Sequence, residues 1–385
     1  MSVWEDVVGQ PALVGMLRRA VVAAEDRLAG GSGAGMTSAW LFTGPPGSGR
    51  SNAARAFAAA LQCERGGCGE CAECRTALSG AHPDVRLVRT DRLSLGVDDI
   101  RALVRDAAMM PARRRWQVLV VEDADRLTDA AGDALLKSLE EPAPRTVWML
   151  CAPTAEDVLD TVRSRCRTLV LRTPPIAAIA HVLEHRDRVP ATMAAYAARA
   201  SQGHIGRARA LARDEATRNR RREVLSIPTV LRDLGACLTA ATNLHEVATE
   251  EGEAVAARLD AREVAELEQA WGAGDRATRA RGFSGALSAL REDHKKRQKR
   301  VVRDSIDGAL IELLSFYRDV LVVQTGARVD LVNAEHVTAV AQLARSGSPE
   351  RTLERIEAVL ACRDALVANA APLLALESLM LHLGS

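Results

Sequence analysis

Gly44-Pro45-Pro46-Gly47-Ser48-Gly49-Arg50-Ser51 carries the glycine and serine spacing of a loop that cradles nucleotide phosphates. Glycines there let backbone N–H groups curl around a phosphate, and the N-terminus of a following helix adds a favourable dipole. The position that usually holds lysine is Arg50. Lysine places a compact charge on the terminal phosphates, whereas the planar guanidinium is larger and not interchangeable with it. Gly44, Gly47, Gly49, Arg50 and Ser51 therefore read as a degenerate nucleotide site. Occupancy by ATP or ADP without turnover and a site filled by Arg50 itself both stay open. A second group, Glu122-Asp123, ends the apolar run Trp116–Val121. Acids at the end of a buried strand can hold Mg²⁺ and orient an attacking water. ATPases of this kind place aspartate first. The reversed order displaces both functions by the extra methylene of glutamate, so weak or absent hydrolysis is expected.

Cys63, Cys68, Cys71 and Cys74 lie within twelve positions. Four thiolates so spaced can close a tetrahedron around zinc, and with no histidine among them a structural, fully coordinated site is favoured. An iron–sulfur cluster is the alternative. Ser164-Arg165-Cys166 follows a helical pattern ending at Arg163 and precedes an apolar run, so Arg165 can stand on a domain surface and lend charge to a nucleotide held by a neighbouring subunit. Three basic groups invite a nucleic-acid reading. Arg101 and Arg105 share one helix face and could follow DNA phosphates. The triplet Arg113-Arg114-Arg115 and the run from His294 to Arg300 read as solvated surface, the latter because acids flank it.

The elements that must position these groups alternate. Apolar strand patterns at Ala39–Thr43, Asp84–Arg89, Trp116–Val121, Thr146–Ala152 and Thr168–Leu171 are separated by helical ones at Asn52–Leu61, Val97–Ala108, Asp129–Leu139 and Asp157–Arg163. This alternation predicts a parallel sheet covered on both faces, with ligands at the carboxyl ends of its strands. Thr173-Pro174-Pro175 reads as a hinge, and residues 176–213 as a three-helix unit. Helix follows helix to the end, with breaks near Gly272–Gly274, Gly326 and Gly347–Pro349. A chain of 385 residues, 48% hydrophobic and 26% charged, requires two or three cores. Its net charge of +1 excludes neither nucleic acid nor protein partners, while 3% aromatic residues argue against broad base-stacking surfaces. The N-terminus has no basic and apolar leader and no stretch is long and apolar enough to span a bilayer, so a cytoplasmic protein is expected.

Trp4–Gln10, Gly44–Ser51, the four cysteines, Ala134–Pro142 and Ser164-Arg165-Cys166, in this order over residues 3–172, resemble the bacterial clamp-loader branch of the AAA+ ATPases. Gly203-His204-Ile205-Gly206-Arg207-Ala208 extends the resemblance. It implies an α/β AAA+ domain with a zinc module at 1–172, a small helical lid at 173–216 and an all-α collar at 217–385. It further implies that Val8, Gly9 and Gln10 lie near an adenine, that Arg207 is the phosphate-sensing arginine of the lid, and that Arg165 acts in trans as a finger. Implied partners are gamma/tau-like motor subunits and a delta subunit in a hetero-pentamer, a sliding clamp and primer–template DNA. The polar sensor of the family has only Thr154 as a nearby candidate. Altered loop and acids beside an intact finger suit a stator that assists a neighbour's hydrolysis. An active motor subunit is the alternative, and a zinc-stabilised DNA-binding module outside replication a third reading.

Overall fold

The computed structural model describes the backbone of residues 2–90, 94–113, 115–270 and 276–384. Arg114 and the break expected at Gly272–Gly274 lie outside these residues, as does the side chain of Lys296 within the basic run. The described chain divides into two compact units, Met1–Arg213 and Asp214–Ser385.

In the first unit, β1 (Ala39–Thr43), β2 (Val85–Val88), β3 (Gln117–Val121), β4 (Thr146–Ala152) and β5 (Arg167–Val170) form one sheet in the order β2-β3-β4-β1-β5. All of its pairings are parallel. Helices α1 (Pro11–Leu28), α2 (Arg50–Gln62), α3 (Ala72–Ser79), α4 (Val97–Ala107), α5 (Asp129–Glu140) and the single turn α6 (Asp160–Arg163) connect the strands. Strands β1, β3 and β4 are buried at every position, which is why they read as unbroken apolar runs rather than alternating ones. Alternate residues nonetheless serve different layers, as the two-residue repeat of a strand requires. Trp40, Phe42, Val118, Val120 and Met149 join α1 and α2 in one core. Leu41, Leu119, Val121, Trp148 and Leu150 join α4 and α5 in the other. Six alanines of α2 (Ala53, Ala54, Ala56, Ala58, Ala59 and Ala60) are completely buried, so this helix lies close on the sheet, with Phe57 edge-on to Trp40 at 5.2 Å.

The helix expected over Asp157–Arg163 shortens to α6. The Asp157 carboxylate accepts the Thr154 N–H at 2.9 Å, and such local side-chain bonds compete with helix formation. Helices α7 (Ile176–His185), α8 (Ala191–Ala200) and α9 (Ile205–Arg213) then form the three-helix group, whose small core includes Val8 from the N-terminus.

The second unit contains α10 (Glu215–Val230), α11 (Leu234–Ala270), α12 (Arg276–Thr325), α13 (Val337–Ser346), α14 (Pro349–Val367) and α15 (Pro372–Gly384), with no strand among its described residues. The basic run on α12 departs from the solvated face expected. His294 bonds Glu263 at 2.9 Å and lies 3.4 Å from Asp260, and Arg297 bonds Glu263 at 2.9 Å, so part of the run is neutralised against α11. Lys295 and Lys299 remain exposed.

A buried polar network ties this unit together. Arg221 of α10 donates to Glu312 of α12 at 3.2 Å and to Asn333 at 2.5 Å, and pairs with Glu335. Fully buried Asp319 accepts the backbone N–H groups of Val332 and Asn333 at 3.1 and 2.7 Å and the Asn333 amide at 3.0 Å. Buried charges are tolerable only when paired and hydrogen-bonded, and removing one partner strands the others. Asp319→Ala is expected to destabilise the unit by about 3 kcal/mol, seen as a lower urea midpoint. A midpoint equal to that of the unaltered chain would show that the network does not hold the segment before α13.

Candidate functional site

Strand β1 ends at Thr43 and delivers the glycine loop to the carboxyl edge of the sheet, and α2 begins at Arg50. Two glycines are required by close approaches in the left-handed region. A Cβ on Gly44 (φ 152°) would lie 2.5 Å from the Leu171 carbonyl oxygen, and one on Gly47 (φ 83°) 2.5 Å from the His204 side chain. His204, just before α9, thus seats on the loop, one turn ahead of Arg207.

The loop is closed on its own chain. The Arg50 guanidinium donates to the Gly44 carbonyl, and burial draws its pKa below the usual arginine value, opposed by Cys151 and by the carboxylates of Asp125, Asp123 and Asp157. Glu122, 8% exposed, accepts Arg55 Nε at 2.8 Å, and Asp123 accepts the Thr90 N–H at 3.1 Å. Only the buried Ser48 hydroxyl, without a hydrogen-bond partner among the described residues, is left as an orphaned polar group here. The residues present do not assemble a magnesium–nucleotide centre. Thr154, the sensor candidate, is exposed, and the buried position near the end of β4 is taken by Cys151, whose thiol burial pushes well above its ordinary pKa.

Val8, Gly9 and Gln10 fasten the hinge. Val8 packs into the core of α7–α9, Gly9 lies against Pro174 and Pro175, and the Gln10 amide bonds both the carbonyl and the N–H of Arg172.

Cys63 caps the C-terminus of α2 and Cys71 the N-terminus of α3, which brings all four cysteine sulfurs within 4.8 Å of one another. Sγ of Cys63 lies 3.7 Å from that of Cys68 and 3.8 Å from that of Cys71. A tetrahedron with metal–sulfur bonds of ~2.3 Å has edges of ~3.8 Å, so the donor set fits a thiolate-bound metal. Backbone N–H groups of Cys68, Cys71 and Cys74 each point at the sulfur of the preceding cysteine in the set at 3.4 Å. Those of Glu70 and Cys71 pull the Cys68 thiol down to about 6, while burial pushes the Cys74 thiol up. The N-terminus straps this module, with Trp4 Nε1 donating to the Gly66 carbonyl at 3.2 Å and the Val3 N–H to that of Gly67 at 3.1 Å.

Arg165 stands at the surface in a defined pose. Its Nε donates to Glu140 at 2.5 Å, and one terminal nitrogen donates to the Thr161 carbonyl at 2.7 Å and to the Ser164 hydroxyl at 3.2 Å. About a third of the side chain (35%) stays exposed. Arg101 and Arg105 are exposed on α4, Arg101 lying 3.7 Å from Asp98. Arg113 is exposed, but Arg115 departs from the solvated expectation: it pairs with Glu25 of α1 and donates to the Leu61 carbonyl at 3.1 Å. Three contributors escaped the sequence reading. Arg55 meets Glu122 across 67 residues with no spacing signal, whereas His204 and Glu140 stood inside recognised segments without an assigned contact.

Two outcomes follow from this geometry. Arg50→Lys alone is expected to leave ATP hydrolysis by the isolated chain at background, because Arg55 still holds Glu122, and measurable turnover by this variant would contradict the closed-site description. A strong thiophilic-metal chelator is expected to lower the melting temperature by about 5 °C, the shift of roughly 2 kcal/mol in a unit of this size. Cys74→Ser should melt at the lower temperature already and ignore the chelator.

A family model described as DNA polymerase III, delta subunit, matches residues 32–175, and one described as DNA polymerase III, delta subunit, C terminal, matches residues 302–384. The chain is 34% identical to DNA polymerase III subunit delta-prime of Bacillus subtilis over 158 residues, 40% of this chain and 48% of that protein. It is 35% identical to the delta-prime subunit of Pseudomonas aeruginosa over 146 residues, 36% of this chain and 44% of that one. Against the gamma/tau subunit of Mycobacterium tuberculosis it is 36% identical over 142 residues, 36% of this chain and 25% of the relative. The matched segment thus spans less than half of each relative. The two family segments take in the sheet with its loop and the helices α13 to α15, so over part of its length the chain is similar to DNA polymerase III delta and delta-prime subunits.

Proposed function

We propose that this chain is a delta-prime-like stator of a DNA polymerase III clamp loader, contributing Arg165 to an ATP site on a neighbouring gamma/tau-like subunit and hydrolysing no ATP itself. One observation carries the reading: the arginine that would act outside the chain is presented at the surface by Glu140, while Arg50 and Glu122, which would act inside it, are engaged by the Gly44 carbonyl and by Arg55. An arginine finger needs only a positioned charge at a partner's phosphates. Hydrolysis needs a free metal-holding acid and a phosphate-reading cation, and Glu122 and Arg50 are both engaged within the chain. The same engagement weighs against the active-motor reading, despite the similarity to gamma/tau subunits.

In this reading residues 1–172 are the AAA+ domain, 173–216 the lid and 217–385 the collar that joins a hetero-pentamer with motor and delta subunits. Zinc is the metal assigned to Cys63, Cys68, Cys71 and Cys74. It is a structural ion that would tie the end of α2 to α3, since four thiolates leave no open coordination position. Arg101 and Arg105 would follow primer–template phosphates while the assembled loader places a sliding clamp on DNA. In this reading the loader works in the cytoplasm. Among the described residues no helix is long and apolar enough to cross a membrane.

The test is Arg165→Ala assembled with the gamma/tau-like and delta subunits. Hydrolysis at the shared site is expected to fall by about 10³-fold, with the sedimentation of the complex unchanged. Full DNA-stimulated ATPase activity in this complex would remove the finger role.

A further inference from the structure

The exposed apolar residues of α14 follow a rule. Leu353, Leu360 and Val367 are 47%, 42% and 77% exposed and stand seven residues apart. An α-helix drifts only ~20° over seven residues, so the three form one ridge about 21 Å long. A second ridge runs beside it. Glu350, Glu357 and Asp364 each precede a ridge residue by three positions, and all three are exposed. None of them forms an ion pair among the described residues, and two arginines of the same helix pair with other acids. Arg351 bonds Glu354 at 2.9 Å, and Arg363 bonds Asp307 at 2.6 Å. The inward face of the helix is complete without either ridge, with Thr352, Val359, Cys362 and Leu366 buried.

An apolar row bordered by an acidic row at seven-residue spacing is half of a helix-pairing seam. Its complement is an amphipathic helix with an aliphatic residue at every seventh position and lysine or arginine alongside. A second copy of α14 would set acid row against acid row, which like-charge repulsion disfavours. We propose that the outer face of α14 seats a basic-flanked amphipathic helix from a different polypeptide. That this polypeptide is the gamma/tau-like subunit rests on the function proposed above.

The full chain and the gamma/tau-like subunit of the same cell are titrated against each other at low and moderate salt. Leu353→Glu/Leu360→Glu/Val367→Glu is expected to weaken association by about 100-fold or more, as loss of a central apolar anchor does. Glu350→Lys/Glu357→Lys/Asp364→Lys should weaken it by about tenfold at low salt, with the difference shrinking as salt screens the row. Both variants should keep the melting temperature of the unaltered chain, because every altered side chain is exposed, and the unaltered chain alone should sediment as a monomer. Variants that bind as the unaltered chain does overturn the seam and leave the proposed function standing. No association by the unaltered chain overturns the partner and the proposed function together. A dimer of the unaltered chain that the triple glutamate variant abolishes shows a second copy on the ridge and overturns the hetero-partner assignment.

Discussion

Strand β1 runs between β4 and β5 with all five of its residues buried, and this covering of the sheet on both faces is the constraint that places everything else in the first unit. Backbone groups of a buried strand must be paired on both sides, and parallel pairing demands a crossover helix between successive strands. The turn from β1 into α2 therefore falls at the carboxyl edge, and the acids after β3 fall at the same edge two strands away. The meeting of Arg55 with Glu122 follows, since one comes from the first turns of α2 and the other from the first residue after β3. The alanines of α2 permit it by letting the helix lie close on the sheet.

The consequence is a glycine loop and a strand-end acid, Glu122, whose charged groups are engaged within the chain. A buried carboxylate without a partner would be costly, and Arg55 removes that cost at Glu122. Arg50 turning onto the Gly44 carbonyl satisfies a second buried group. His204 links the closed loop to the three-helix group, and Gln10 and Gly9 link the hinge to the N-terminus. Arg165 differs in kind. Its partners lie on α5 and on the turn before it, and they fix its direction while leaving a third of its surface to solvent.

The second unit is organised by different physics. Its helices meet through apolar faces, but the position of the segment before α13 is set by Asp319, Asn333 and Arg221, a buried polar set whose members satisfy one another. The His294–Arg300 run shows how charge balance overrides local appearance. On the sequence it is a basic stripe with acids beside it, yet its His294 and Arg297 face the acids of α11, thirty residues and more away.

Patterns with a short period were legible without coordinates. The five strands, the helices α2, α4 and α5 between them, the breaks at Gly326 and Gly347–Pro349 and the four-cysteine cluster all rest on local rules: apolar runs, helical spacing, glycine and proline punctuation, and ligand spacing, whereas α3 lay hidden in the cysteine cluster. The similarity to DNA polymerase III subunits is carried by the same segments. The short α6 was misjudged for a local reason, because the Asp157 carboxylate caps a turn at Thr154 that periodicity does not register. What only the tertiary structure decided is which charge meets which. Arg55 with Glu122, Arg115 with Glu25, Arg165 with Glu140 and Arg221 with Glu312 join residues 25 to 91 positions apart. A side chain announces its charge in sequence, but its partner is set by how the backbone folds back. The amino-acid sequence therefore determined which residues stand in the glycine loop and at the end of β3, and the folded chain decided that Arg50 and Glu122 find their partners within it.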